Sequence, residues 1–173
     1  MIGTLPRLFG PLTSYGLLAA ASAAILDQAT KVWLVFGYDL PARGRVHLTP
    51  FLDLVMAWNT GISYGLFQHT GPLGQWLWLA VEVVAVALLG MWLARAATLT
   101  AAVSLGLIIG GAVGNGIDRL AYGAVADFVL FHVTTAKWSF NWYVFNVADV
   151  AIVVGAAGLL YGFVHGERAA KAP

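Results

Sequence analysis

Apolar residues dominate four long runs along the chain, and polar residues collect between the runs and at their ends. A membrane helix needs about 20 apolar residues. Segments at about 12–36, 73–94, 98–121 and 143–164 qualify. The first is interrupted by Asp27 and Lys31, and the second, LGQWLWLAVEVVAVALLGMWLA, carries one charge, Glu82. The link near 95–98 is short, so the second and third helices form an antiparallel hairpin. Four crossings put both ends of the chain on one side, with residues 37–72 and 122–142 on the other. Within 37–72 the stretch VHLTPFLDLVMAW alternates and is rich in β-branched and aromatic residues, which predicts short strands. The pattern predicts an all-α membrane protein, one domain over 1–173, with four transmembrane helices and a small β-containing segment between helices 1 and 2.

Composition strengthens this picture. The chain is 60% hydrophobic and 10% charged, with mean hydropathy +0.81; soluble domains carry about 25% charged residues. A net charge of +1 gives no reason to expect nucleic acid. The absence of cysteine excludes disulfides, thiolate metal ligands and a cysteine nucleophile. Seven Trp and six Tyr suit a membrane interface, and Trp58, Trp138 and Trp142 are expected as anchors there. Arg7 followed by YGLLAAASAAIL resembles a signal peptide, with ASA as a cleavage site. The apolar run resumes after DQATK as VWLVF, however, so a retained first helix is expected. Arg7, Arg95, Arg168 and Lys171 fall on the side of the termini, and Arg43, Arg45 and Lys137 on the other. The positive-inside rule then sets the termini in the cytoplasm and residues 37–72 and 122–142 in the periplasm.

Ionisable groups in membrane segments are costly and usually face a protein interior or a wet cavity. Asp27, Lys31, Asp118, Arg119 and Asp149 sit at one depth near the outer ends of their helices, with Asp127 just outside. Asp149 is expected roughly 9 Å into the fourth helix, about six residues at 1.5 Å each. Glu82 reads as a salt bridge or bundle glue. Asn115, Asp118 and Arg119 share a helix face, as do Asn146 and Asp149, and Asp27 can pair with Lys31. Arg119 is expected to pair with a carboxylate and to satisfy backbone carbonyls. Asp118 and Asp127, nine residues apart, would point in opposite directions on one continuous helix. A break at Gly123 turns Asp127 back towards Asp149. Gly110, Gly111 and Gly114 offer a small-residue face for close helix approach.

Two carboxylates in one poorly hydrated site do not both ionise easily, so one keeps a proton and the pair can serve as general base and general acid around a water. This is weak as a signal, because proton-coupled transporters also bury acids. GISYG (61–65) matches the nucleophile elbow G-x-S-x-G, but that motif needs an α/β sheet and His and acid partners. The four histidines, His47, His69, His132 and His165, show no partner spacing, so Ser63 is not expected to be a nucleophile. No H-E-x-x-H occurs either. No metal and no cofactor are expected.

Four stretches together carry a resemblance. DQATK (27–31), NTGISYG (59–65), GGAVGNGIDRLAYGAVADF (110–128) and FNVADVAI (145–152) are similar, in order, to the motifs of bacterial lipoprotein signal peptidase, or signal peptidase II. The resemblance implies an aspartic endopeptidase of the bacterial inner membrane, which cuts diacylglyceryl-modified prolipoproteins just before the lipidated cysteine. By motif match it makes Asp127 and Asp149 catalytic. Asp27, Lys31, Asn59, Gly61, Asn115, Asp118, Arg119 and Asn146 become supporting or substrate-binding residues. It also implies contact with membrane lipid and inhibition by globomycin-type cyclic peptides; because one chain is expected to hold the whole site, a monomer is expected. Two rivals are a transporter relaying protons through Asp149 and Glu82, and a structural four-helix subunit. The first fits poorly with polar residues gathered at one end, and the second leaves that gathering unexplained.

Overall fold

The structure is a computed structural model that describes residues 9–61 and 72–170. Helix α1 (Thr13–Val32) continues as a π-helical turn over Trp33–Gly37 and is followed by a single turn, α2 (Leu40–Arg43). Strands β1 (Val46–Thr49) and β2 (Leu52–Asn59) precede the hairpin of α3 (Pro72–Leu93) and α4 (Leu99–Tyr122). Strands β3 (Val125–Thr134) and β4 (Ser139–Phe145) then lead into α5 (Val147–Ala170). Four helical stretches, Thr13–Gly37, Gly74–Leu93, Leu99–Tyr122 and Val147–His165, are long and apolar enough to cross a membrane.

Helix α4 is the axis of the bundle: 56% of its span is buried, against 6% in α3. Its small residues explain this. A Cβ on Gly106 or Gly110 would collide with the α1 backbone at Gly16 and Ala20, and one on Gly111 with the carbonyl of Ala148 in α5. Two helix neighbours therefore approach α4 to backbone contact, which side chains larger than hydrogen would forbid. Leu93, Leu105, Ala102 and Ile109 fill the space beside this seam. Thr98 starts α4 by accepting a hydrogen bond from the Ala101 N–H at 3.2 Å. Gly123 ends it in the left-handed region, φ +75°, with its N–H on the Arg119 carbonyl. That break turns the chain into β3.

The expectation of an all-α protein with β structure confined to 37–72 is corrected. One antiparallel sheet of order β1-β2-β3-β4 takes half its strands from each long connection. Leu34, Leu40 and Phe128 form a second core between the end of α1 and this sheet. Residues 143–145, expected in the fourth helix, belong to β4, and α5 starts at Val147. Asp149 thus lies in the first turn of α5 rather than two turns inside it. The reason is that YVF is apolar enough to extend a hydropathy run while its aromatic and β-branched side chains favour a strand.

Candidate active site

The polar residues predicted near one depth converge where α1 and α4 end and α5 begins. Register does the first part of the work. Ala57 of β2 lies opposite Asp127 of β3, and Asn59 opposite Val125. Asn59 therefore donates its Nδ2 hydrogen bond to Asp127 Oδ2 at 3.0 Å. Helix capping does the second. Asn146 precedes α5, and its Oδ1 accepts from the Asp149 N–H at 2.9 Å while Asp149 Oδ2 accepts from the Asn146 N–H at 3.1 Å. This reciprocal pair is a capping box built from Asn and Asp. A carboxylate is favoured at the positive end of a helix.

Asn146 also joins the two acids. Its Nδ2 donates to Asp127 Oδ1 at 2.7 Å and to Asn115 Oδ1 at 3.0 Å. Asn115 in turn donates to Asp149 Oδ1 at 3.3 Å. Asp127 and Asp149 face one cavity of about 160 Å³, lined also by Asn59, Glu82, Asn115, Arg119, Val125 and Ile152. Burial pushes the Asp127 carboxyl up to about 7, helped by the negative charge of Asp149 and opposed by the Asn59 and Asn146 amides. A second, largely apolar hollow of about 280 Å³ opens on the other side of Asp149, between Trp142, Tyr143, Phe145, Val150, Val153 and Val154.

Behind this pair lies a charge cluster of a different kind. Lys31 is 2% exposed and spends its three donors on Asp27 at 2.8 Å, Asp118 at 2.7 Å and Asn115 Oδ1 at 3.0 Å. Asp27 caps α5 by accepting from the Ala148 N–H at 2.9 Å. Asp118 Oδ2 accepts from the Ala126 N–H at 3.0 Å, which ties α4 to β3 across the Gly123 turn. Arg119 pairs with Glu82 of α3 and donates to the Gly61 carbonyl at 3.1 Å. The Gly61 N–H is held in turn by Asn59 Oδ1 at 3.0 Å. All ten residues expected at the site are thus brought together.

Gln28 is a participant that the sequence reading passed over. Its Nε2 donates to Asp118 Oδ1 at 2.8 Å and the Gly114 carbonyl at 3.0 Å. Its place between Asp27 and Lys31 on a helix was the available signal. Ser63 and most of the GISYG motif lie outside the described residues. The histidines need correcting in one respect: His47 and His132 meet at Asp53, which is fully buried and also contacts Arg45. Burial would raise the Asp53 carboxyl, but the contacts from His47, Arg45 and His132 outweigh it and hold it below the usual range.

Fold and site together define a multi-pass membrane protein whose helix bundle holds an acid centre beneath a small sheet. Comparison gives the class a family. The model described as Signal peptidase (SPase) II matches residues 19–165. The lipoprotein signal peptidase of Rhodopseudomonas palustris (strain TIE-1) is 60% identical over 158 residues, 91% of this chain and 96% of that protein. That of Nitrobacter hamburgensis is 58% identical over 163 residues, 94% and 99% of the two chains. In fold, the chain is similar to a bacterial membrane enzyme solved by the in meso method, with TM-score 0.76 and 22% identity over 92% of this chain and 93% of that one. The chain belongs to the signal peptidase II family, the peptidases that the resemblance of its motifs implied.

Proposed function

We propose that the chain removes the signal peptide from diacylglyceryl-modified prolipoproteins, cutting before the lipidated cysteine, with Asp127 and Asp149 as an aspartic dyad. The observation that carries this reading is the bridging of both carboxylates by Asn146 in one cavity, where the Asp127 carboxyl is pushed up to about 7. One acid of such a pair holds a proton at neutral pH while the other is ionised.

Asp149, at the N-terminus of α5, is the ionised partner and draws a proton from a water. The water oxygen attacks the scissile carbonyl carbon as protonated Asp127 gives its proton to the carbonyl oxygen. The resulting gem-diol collapses. Its hydroxyl proton returns to Asp127, the C–N bond breaks, and Asp149 passes its proton to the departing amine of the cysteine. The signal peptide leaves with a new carboxyl group, and both aspartates are restored. Asn59, Asn115 and Asn146 orient the acids, and Asp27, Lys31, Asp118, Arg119 and Gly61 hold the elements that carry them.

The apolar hollow beside Asp149 suits an acyl chain or the greasy end of a signal peptide, and globomycin-type cyclic peptides would compete for the same space. The sheet lies on the periplasmic side of the inner membrane and both termini in the cytoplasm, in keeping with the Lys and Arg distribution. One chain supplies both acids and all their amide partners, so a single copy can hold the whole site. The test is cleavage by detergent-purified protein of a prolipoprotein with and without its diacylglyceryl group. Cleavage of the modified precursor alone is expected. Equal cleavage of both forms, or of neither, overturns the reading.

A further inference from the structure

The sheet carries a second cluster of chemistry-bearing side chains, away from the acid centre. His47 of β1 lies directly opposite Asp53 of β2. Asp53 lies opposite Leu130 of β3, and His132 is two residues further on, on the same face. Three adjacent strands thus each send one side chain to one spot. His47 Nδ1 is 2.8 Å from Asp53 Oδ1, and His132 Nε2 is 3.0 Å from Oδ2. The three ligand atoms all lie within 4.8 Å of one another.

We propose that His47, Asp53 and His132 form a binding site for one divalent metal ion of the zinc class. Two imidazoles and a carboxylate are a donor set for such borderline ions. Tetrahedral ligands bonded at about 2.1 Å stand about 3.4 Å apart, a few tenths of an ångström wider than the His47–Oδ1 and His132–Oδ2 separations. The two imidazole nitrogens are at most 4.8 Å apart, and the His47 side chain, 72% exposed, has room to rotate towards an ion.

His132 separates this reading from a plain ion-pair network, whereas His47 Nδ1 makes an aligned hydrogen bond with Asp53 Oδ1 that the ion would replace. The His132 Nε2 is buried beside Oδ2, yet finds no aligned hydrogen-bond partner among the described residues. A donor and an acceptor that bond each other point at each other. Two ligands of one ion lie side by side and point at a third position, and the His132 Nε2–Oδ2 pair at 3.0 Å lacks the alignment of a bond. Arg45 holds the same Oδ2 through its Nε and a terminal nitrogen, both at 2.5 Å; its side chain is 44% exposed, so it turns to solvent as the ion enters. The metal would clamp the edge strand β1 to β2 and β3. Asp53 and Ala57, the residue opposite Asp127, are four positions apart, roughly 13 Å along a strand, so the ion is distinct from the acid pair.

The test is calorimetric titration of zinc chloride into the chelator-treated full chain in detergent, prepared without a histidine tag. One ion per chain is expected. His47→Ala and His132→Ala should each weaken binding at least tenfold, while Asp127→Asn retains it. Because His47 is exposed, its variant keeps the fold. Zinc should raise the melting temperature of the parent and not of His47→Ala, since a ligand that binds only the folded state stabilises it. No stoichiometric binding by the parent, unchanged affinity in both histidine variants, or loss of binding in Asp127→Asn would each overturn the proposal.

Discussion

Two groups of acids lie a few residues apart at the same end of the bundle, and they are built on opposite terms. Asp27 and Asp118 share a buried lysine whose donors are all engaged, and each also accepts a backbone N–H. Asp127 and Asp149 are joined through neutral amides and face a cavity. Carboxylates engaged by a buried lysine and by backbone N–H groups hold their elements together. A carboxylate beside another one, with amides for partners, exchanges a proton easily. On the proposed function, the first group serves structure and the second chemistry.

The contrast is tested hardest by Asp127→Asn and Asp149→Asn. Each amide keeps the shape of the acid but carries no exchangeable proton for the water or the amine. Each should lower turnover by about 10³-fold or more, within the range of general acid–base effects, while the protein stays folded and inserted. The double variant should be no worse than the singles, because the two groups act as a unit. Should Asp118→Asn prove folded and inactive while Asp127→Asn keeps near-normal turnover, the two groups have been assigned the wrong way round.

The matching experiment on the other group is Lys31→Met. It keeps the stem and removes the charge, leaving Asp27 and Asp118 buried without their cation. Breaking such a pair costs about 3–5 kcal/mol. The expected result is lost folded yield and a lower melting temperature in detergent, with any surviving protein still able to cleave. A folded, normally stable Lys31→Met that has lost activity would place Lys31 in the chemistry.

Much of this contrast was legible before the structure. The run GGAVGNGIDRL could be read as a packed helix because its glycines recur on faces that the structure shows against α1 and α5. The break at Gly123 followed from the phase of Asp118 and Asp127. The sheet was only half legible. VADFVLFHVT is a largely apolar run that follows directly on α4, and periodicity does not separate such a strand from buried loop or helix. The His47–Asp53–His132 cluster was invisible for another reason. Its members come from both long connections, and only the β2–β3 pairing brings them together.

Arg119→Ala probes the border between the two groups. Its guanidinium joins α3, through Glu82, to Gly61, beside the strand that carries Asn59. Hydrogen bonds to charged groups contribute about 1.5–3 kcal/mol; the pair with Glu82 is partly reached by solvent, while the bond to Gly61 is buried. A loss near the lower end of that range is expected, with reduced yield and reduced activity together. Normal yield, melting and turnover would show that Arg119 is a solvated end charge and that the two groups are independent of α3.

The smallest effect is the most specific. Asp127 keeps its proton below about 7 and loses it above, and in the proposed cycle the protonated form is the active one. Activity should therefore fall as pH rises through that region, which sets the alkaline limb of the profile. Asn59 donates to Asp127 Oδ2 and favours the ionised form. Asn59→Ala removes that donor, so the proton is held more tightly and the alkaline limb should move to higher pH, by a fraction of a unit. The limb belongs to the coupled pair and not to Asp127 alone, so the acid limb should shift less because Asn59 touches only one partner. A purely structural role for Asn59 would lower activity equally at every pH. An alkaline limb that stays in place, or moves down, would remove Asp127 as the proton-holding member of the dyad.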